Sequence, residues 1–380
     1  MIGSCSLGRE RPRIIQLVPL FMLIFLLGVP SLGWSAPSKL EVRQVDLADC
    51  PRIKTFVAVH DAQGNPITDL EGRKFTAQIG GQPAGEVEGK TFTDSSEGLA
   101  VVLVLDTSGS MKGEPIAAQN AAASSFIQGL AEGDQIAVVT FGNEVKTVRQ
   151  FTAPSEAVWT QVEGLIPDEQ PINSKLHDAV RQAFKVVKTA SGLPGRRAVV
   201  VISDGKDVGS AMTADDCIEE AKEANCPVYT IGYSRLRKDQ LRHLKSLERL
   251  SLRTGGSYNP APDDSALKGM YAGITSQLRD LHVVTLLAYS LKADGRGKEL
   301  RVTLGEGKDA LTAVHSFVVP ANTKCAPVLP PKKVAAKIKK KKPKPKKLIE
   351  QSWFLPAVVG GGGLVVIIIL ILVLRARNRR

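Results

Sequence analysis

The stretch that decides the fold is Leu99–Ser110, which reads LAVVLVLDTSGS. Its first seven residues are apolar and rich in Val and Leu, a composition that predicts a strand buried on both faces of a helix-covered parallel sheet. Asp106, Ser108 and Ser110 follow at alternate positions, and Gly109 allows a tight turn. Open α/β sheets bind ligands at this end of a strand, and such oxygen donors suit a small hard cation such as Mg²⁺.

Two further segments offer the same kind of oxygen ligand. A second apolar run, AVVVI at 198–202, ends in Ser203-Asp204-Gly205 and places another carboxylate at a strand end. Between the two strands, Ser174 precedes an amphipathic helix and offers a third hydroxyl. The alternation of strands and helices predicts a parallel sheet whose right-handed crossovers bring these ends to one edge. Strands are predicted over 135–141, 198–202 and 228–233, and helices over 117–130, 176–189, 214–224, 236–254 and 266–281.

Together, these segments resemble the von Willebrand factor type A domain and its metal-ion-dependent adhesion site. The resemblance covers residues 96–280 and implies an α/β fold with a doubly wound, mostly parallel, Rossmann-like sheet. It implies a metal shell of five residues: Asp106, Ser108, Ser110, Ser174 and Asp204. The family commonly has Gly-Gly-Thr where this chain has Ile172-Asn173-Ser174, so Ser174 keeps the hydroxyl in a loop less free to turn. A type A fold with a vestigial site is the alternative.

The chemistry that the resemblance implies is coordination. Ser108, Ser110 and Ser174 would act as direct or near-direct ligands of Mg²⁺, Mn²⁺ or Ca²⁺, and Asp106 and Asp204 would orient waters and balance charge. Mg²⁺ favours octahedral oxygen coordination, so an exposed Asp or Glu of a protein partner would fill an open position, as is usual in the family. The five His residues are scattered, and neither His-Glu-x-x-His nor Gly-x-Ser-x-Gly occurs, so we do not expect an enzyme.

Hydrophobic segments flank this domain on both sides. Three Arg precede the apolar run 14–29, and small residues follow it, so residues 1–35 are predicted to be a secretory signal peptide, with an uncleaved signal anchor as the alternative. The uncharged stretch Trp353–Leu374 would form a helix of about 33 Å, enough to cross a hydrocarbon core of about 30 Å. We therefore expect a transmembrane helix over 351–374 and a short cytoplasmic tail over 375–380.

The net charge of +12 lies mostly outside the predicted folded part. Residues 1–35 carry +2, the stretch 332–347 holds ten Lys, Glu350 adds −1 and the tail adds +4, which leaves −3 for residues 36–331. This mildly acidic balance argues against nucleic-acid binding.

No Asn-x-Ser/Thr glycosylation acceptor occurs, which favours a bacterial protein. With the two hydrophobic segments, this predicts a single-pass protein of a bacterial cell membrane with its bulk exported.

The Pro- and Lys-rich linker over 326–350 cannot form a core, because its charges repel one another and its prolines stiffen it. It is interpreted either as a spacer or as a polycation that binds an anionic envelope polymer or lipid headgroups. The second interpretation gives an alternative function, an envelope scaffold that acts through the linker and the membrane anchor, with the metal site incidental.

The segments on either side of the type A domain, 36–95 and 281–325, show short strand patterns separated by turns. Neither is long enough for a stable sheet alone, so we expect them to pair into one small β-sandwich.

Four cysteines follow the predicted signal peptide, and an exported context favours disulfides. Of three possible connectivities we favour one with Cys50–Cys325, since each lies just outside the domain. Cys217 and Cys226 are left open between a second disulfide and two buried thiols.

Overall fold

The structure is a computed structural model, and it describes residues 36–170, 172–233, 241–289, 291–326 and 328–329. The predicted signal peptide (1–35), the predicted transmembrane segment (351–374), the predicted tail (375–380) and nearly all of the linker lie outside the described residues. Within the described ranges, no helix combines the length and the apolar character needed to cross a bilayer.

Fourteen strands and six α-helices occur in the described part of the chain. The strands are β1 (Lys39–Asp46), β2 (Arg52–His60), β3 (Phe75–Ile79), β4 (Gln82–Pro83), β5 (Gly85–Thr91), β6 (Leu99–Asp106), β7 (Gln135–Phe141), β8 (Val145–Thr152), β9 (Arg196–Ser203), β10 (Val228–Tyr233), β11 (Tyr258–Ala261), β12 (His282–Leu287), β13 (Gly297–Leu304) and β14 (Leu311–Val318). The helices are α1 (Glu114–Gln128), α2 (Glu156–Glu163), α3 (Leu176–Thr189), α4 (Ala214–Glu223), α5 (Leu241–Thr254) and α6 (Ala266–Arg279).

A six-stranded sheet in the order β11-β10-β9-β6-β7-β8 forms the centre of the molecule. Its strands are parallel except for β8, which runs antiparallel to β7. All eight residues of β6 are buried. Alternate side chains of this strand enter different cores, with Leu103 in the core that includes α1 and α6 and Val104 in the core that includes α3, α4 and α5. Helices therefore cover both faces, which is the predicted doubly wound α/β arrangement.

The predicted strands over 135–141 and 228–233 and the predicted helix over 176–189 are confirmed with their bounds. Two strands of the central sheet, β8 and β11, and the helix α2 were not predicted. Strand β8 is a half-exposed edge strand whose sequence, VKTVRQFT, lacks an apolar run. Helix α2 has eight residues and β11 has four, too few to show a clear hydrophobic period.

The segments before and after the central sheet fold together. One four-stranded sheet has the order β1-β2-β12-β5 and another has the order β14-β13-β3-β4, so each contains strands from both segments. Strand β12 lies between β2 and β5 and is antiparallel to both. The two sheets share a core that includes Val57, Val284 and Val302, each of which is fully buried.

The cysteines divide into one disulfide and two thiols. Cys50, which precedes β2, is disulfide-bonded to Cys325, which follows β14, across 275 residues of sequence. Cys217 in α4 and Cys226 ahead of β10 are free and buried, so of the two alternatives left open by the sequence the structure contains the thiols. Burial raises the pKa of both thiols to about 12, which keeps them protonated and unreactive.

Candidate metal-binding site

Asp106 is the last residue of β6 and is fully buried. Its carboxylate accepts two hydrogen bonds, one to Oδ1 from the Ser108 N–H at 2.9 Å and one to Oδ2 from the Ser203 hydroxyl at 3.0 Å. Its backbone is held by the Gln119 side chain, which accepts from the Asp106 N–H at 3.2 Å and donates to the Asp106 carbonyl at 3.0 Å. Both the position and the orientation of this carboxylate are therefore set before any ligand binds.

The Asp106 carboxylate is electrostatically undercompensated. Burial, followed by the negative charge of Asp204, raises the pKa of Asp106 to about 7, and the hydrogen bonds from Ser108 and Ser203 offset only part of this effect. A cation next to two carboxylates would stabilise their charged forms and lower such a pKa. The carboxyl end of β6 therefore suits a cation, because its buried negative charge is not balanced by the surrounding residues.

The hydroxyls of Ser108 and Ser110 lie next to this carboxylate. Their Oγ atoms are 3.0 Å apart, with Ser108 buried and Ser110 exposed. Thr107 lies between Asp106 and Ser108 in the sequence and is turned toward β7, because its N–H and hydroxyl both donate to the Phe141 carbonyl, at 2.7 and 3.0 Å. Alternate positions after β6 thus present oxygen atoms to the same side of the turn.

Ser174 is joined to the loop that carries Asp204. The backbone groups of Ser174 and Val208 exchange two hydrogen bonds of 3.0 and 2.8 Å, and the Ser174 hydroxyl donates to the Lys206 carbonyl at 3.1 Å. The Lys206 N–H in turn donates to Oδ1 of Asp204 at 3.0 Å. Although its loop lacks the two glycines common in the resembled family, Ser174 is buried at this edge of the sheet.

Gly205 allows the loop after β9 to turn where it does. Its φ of +79° lies in the left-handed region, and a Cβ at this position would be 2.6 Å from the His243 carbonyl oxygen of α5. Its N–H donates to the Ser203 hydroxyl at 3.0 Å, and the same hydroxyl donates to Asp106. The turn that presents Asp204 is therefore linked to the end of β6 through one serine.

The structure thus places the five residues predicted from the sequence at one edge of the sheet, in three adjoining loops. They are Asp106 at the end of β6, Ser108 and Ser110 directly after it, Ser174 before α3, and Asp204 after β9. In the described ranges, no group of three or more His, Cys, Asp or Glu side chains is arranged to hold a metal ion. A cation at this edge would depend on serine oxygens in addition to the two carboxylates.

Sequence reasoning missed the side chains that support the site. Asn143, just after β7, accepts the N–H groups of Ile172 and Asn173 at Oδ1, at 3.2 and 2.9 Å, and donates from Nδ2 to the Gln170 carbonyl at 2.8 Å. This one side chain holds the loop that leads into Ser174. It follows the carboxyl end of a parallel strand, so the rule that identified Asp106 and Asp204, applied to β7, would have indicated it.

The central part of the chain matches a known family model. The model of the von Willebrand factor type A domain matches residues 100–265. A search of the curated proteins finds no match.

Several solved bacterial structures are similar to this chain. The conserved hypothetical protein BatB from Bacteroides thetaiotaomicron has 18% sequence identity and a TM-score of 0.37, over 47% of this chain and 98% of that chain. A von Willebrand factor type A protein from Catenulispora acidiphila has 12% identity and a TM-score of 0.43, over 76% and 75% of the two chains. The corresponding domain of the type V pili tip protein Mfa5 from Porphyromonas gingivalis has 15% identity and a TM-score of 0.38, over 48% and 96%.

Proposed function

Since residues 100–265 form a von Willebrand factor type A domain, we propose that this protein binds a divalent cation at the carboxyl edge of β6 and β9 and uses it to bind an acidic group of a protein partner. The observation that carries the proposal is the buried Asp106 carboxylate, whose pKa is raised to about 7 beside Asp204 and next to two serine hydroxyls. Mg²⁺ is the cation that such hard oxygen donors favour, and Mn²⁺ or Ca²⁺ would be accepted by similar groups.

Each of the five residues has a part in this proposal. Ser108, Ser110 and Ser174 offer neutral oxygens, and Asp106 and Asp204 balance the charge of the cation. When bound, the cation supplies an electrophilic position for one oxygen of a partner's Asp or Glu. The Ser108 N–H and the Ser203 hydroxyl keep the Asp106 carboxylate in place, so little reorganisation is needed on binding.

Apolar side chains next to the site support a protein as the partner. Ile172 is 68% exposed, and Val208, whose backbone pairs with Ser174, is 38% exposed. A protein partner that covers these two side chains would remove their apolar surface from water, which favours binding. No catalytic step is part of the proposal.

The proposal includes an exported, membrane-anchored location. Its support comes from sequence segments outside the described residues, the predicted signal peptide at 1–35 and the predicted span at 351–374. The competing proposal, an envelope scaffold that acts through the Lys-rich stretch 332–347, predicts that deletion of this stretch abolishes function while cation binding at the site is dispensable.

The test is a titration of the purified full-length protein with Mn²⁺, followed by electron paramagnetic resonance, with Mg²⁺ as competitor. We expect saturable binding that Mg²⁺ displaces, and an affinity at least roughly tenfold lower in Asp204→Asn because a charge at the site is lost. Asp215→Asn is the matched control, since Asp215 is exposed on α4 and pairs with Arg249. Equal affinities of Asp204→Asn and the wild type would refute the proposed site.

Partner binding is tested with a short neutral peptide that carries one glutamate. Because binding equilibria are reciprocally coupled, a peptide that binds through the cation must tighten Mn²⁺ binding by the factor by which Mn²⁺ tightens peptide binding. Peptide affinity that is the same with and without Mn²⁺ would contradict the cation-dependent mode.

A further inference from the structure

A groove runs along the exposed face of α3, between the edge strand β8 and helix α4. Its volume is about 660 Å³. Its lining includes Val145 of β8 and Glu220 of α4. Most of its charged residues lie on α3 and are spread along this helix. The basic residues in its lining are Lys175, Arg181, Lys185 and Lys188.

Two of these four cations are paired within the protein. Arg181 Nε lies 3.2 Å from Oε1 of Glu220, and Lys188 Nζ lies 3.6 Å from Oε2 of Glu223. Lys175 and Lys185 have no ion pair with any residue that the structure describes. The groove thus keeps uncompensated positive charge, although residues 36–331 carry −3 as a whole.

The acidic residue that remains in the groove is already used by backbone donors. The Asp178 carboxylate accepts the N–H groups of Ala211 and Met212, each at 3.1 Å, so it holds the loop before α4. In the described part of the chain it forms no ion pair with Lys175 or Lys185. Lys185 also lies four residues after Arg181 and three before Lys188, spacings at which like charges on a helix repel. A negatively charged ligand in the groove would relieve this repulsion.

The groove begins at the candidate metal-binding site. Lys175 directly follows Ser174, and its N–H donates to the Gly142 carbonyl at 3.2 Å, at the end of β7. From Lys175 the ten residues to Lys185 rise by about 15 Å along the helix. An extended peptide covers that distance in roughly four to five residues.

We propose that the groove binds an extended acidic segment of the partner, with a second carboxylate on Lys185 four to five residues from the one that reaches the metal-binding edge. This inference rests on the proposed function for the position of the first carboxylate. The occupant is identified by charge complementarity, because the surplus lysines lie in a groove whose own carboxylates are engaged. The partner is therefore a protein with two acidic residues separated by three to four others in an extended segment.

The experiment compares two rhodamine-labelled peptides on the full-length protein in Mg²⁺ by fluorescence anisotropy. One carries a single glutamate, and the other carries a second glutamate five positions along a Gly/Ser spacer. We expect the second peptide to bind roughly two- to fivefold tighter, the range for an exposed charge pair, and this advantage to shrink at high salt. Lys185→Glu should remove the advantage.

Lys245→Glu is the matched control. Lys245, like Lys185, is an exposed lysine inside a 14-residue helix, here α5, and both variants retain the Lys-rich stretch 332–347, so any binding to that stretch affects them equally. Equal affinity of the wild type for the two peptides, or equal effects of Lys185→Glu and Lys245→Glu, would overturn the inference. If Mn²⁺ shows no site while Lys185→Glu still removes the advantage, the proposed function fails and the groove stands.

Discussion

Arg196 of β9 and Gln44 of β1 are 152 residues apart in the sequence, and Nη1 of the arginine donates to Oε1 of the glutamine at 3.0 Å. Arg196 is fully buried; its Nη2 donates to the Tyr229 hydroxyl at 2.8 Å, and its guanidinium lies 5.8 Å from the ring centroid of Phe56. Gln44 also accepts the Arg197 N–H at 3.1 Å. One buried polar cluster therefore connects the flanking sheet to the central sheet.

The first prediction concerns this cluster. Arg196→Met should lower the free energy of unfolding by roughly 2–4 kcal/mol. It leaves the buried Tyr229 hydroxyl oxygen without its donor, and the buried Gln44 oxygen keeps only the hydrogen bond from the Arg197 N–H. Urea unfolding followed by circular dichroism measures the change. Arg301→Met, which removes an exposed pair with Glu299 at 3.0 Å in β13, should cost less than about 1 kcal/mol. A similar cost for both variants would contradict the proposed importance of the buried cluster.

The second prediction is a pH dependence of the metal-free protein. The pKa of Asp106 is about 7 in the folded protein against 3.8 for the free group, so the folded state holds this proton more tightly. The resulting stabilisation is complete below pH 3.8 and is lost as the pH rises through about 7. The amide of Asp106→Asn does not titrate. As the pH rises from 3.8 to about 7, the free energy of unfolding of this variant should therefore increase relative to that of the wild type by up to about 1.4 kcal/mol per pH unit.

Thermal unfolding in the presence of a chelator, at a series of pH values, measures this difference between the variant and the wild type. At neutral pH, Mg²⁺ should stabilise the wild type more than the variant, because the cation would bind the carboxylate more tightly than the neutral amide. Parallel pH profiles of the two proteins would rule out the raised pKa of Asp106.

The third prediction concerns the disulfide. Cys50 and Cys325 close a loop of 275 residues. Chain entropy alone predicts that such a link raises the free energy of unfolding by about 5–6 kcal/mol, whereas disulfides typically contribute roughly 2–4 kcal/mol. Cys325→Ser should lower the melting temperature accordingly. A reductant should lower the melting temperature of the wild type to that of the variant and leave the melting temperature of the variant unchanged. A reductant effect of equal size in both proteins would point to another cause.

The fourth prediction tests the turn after β9. Gly205→Ala should weaken Mn²⁺ binding at least roughly tenfold, because the φ of +79° and the nearby His243 carbonyl force the turn that carries Asp204 to move. Gly269→Ala in α6 is the control, since a Cβ there meets nothing within 4 Å. Unchanged Mn²⁺ affinity in Gly205→Ala would show that this turn does not position a ligand.

The sequence by itself determined the central strand, the helix over 176–189 and the candidate ligands of the cation. These features depend on local pattern: seven consecutive apolar residues before Asp106 and a clear helical period after Ser174 are each visible within a short window. The carboxyl ends of β6 and β9 lie at the same edge because both strands run parallel in one sheet with right-handed crossovers.

Only the tertiary structure decided which distant segments pair. Strand β12 lies between β2 and β5, and Gln44 reaches Arg196, through contacts between parts of the chain whose separation carries no periodic signal. The same holds for the loop of Ser174, whose position depends on the side chain of Asn143 from another strand end. Local periodicity reports which face of a segment is buried, and the partner that buries it is selected by packing and hydrogen bonding across the whole fold.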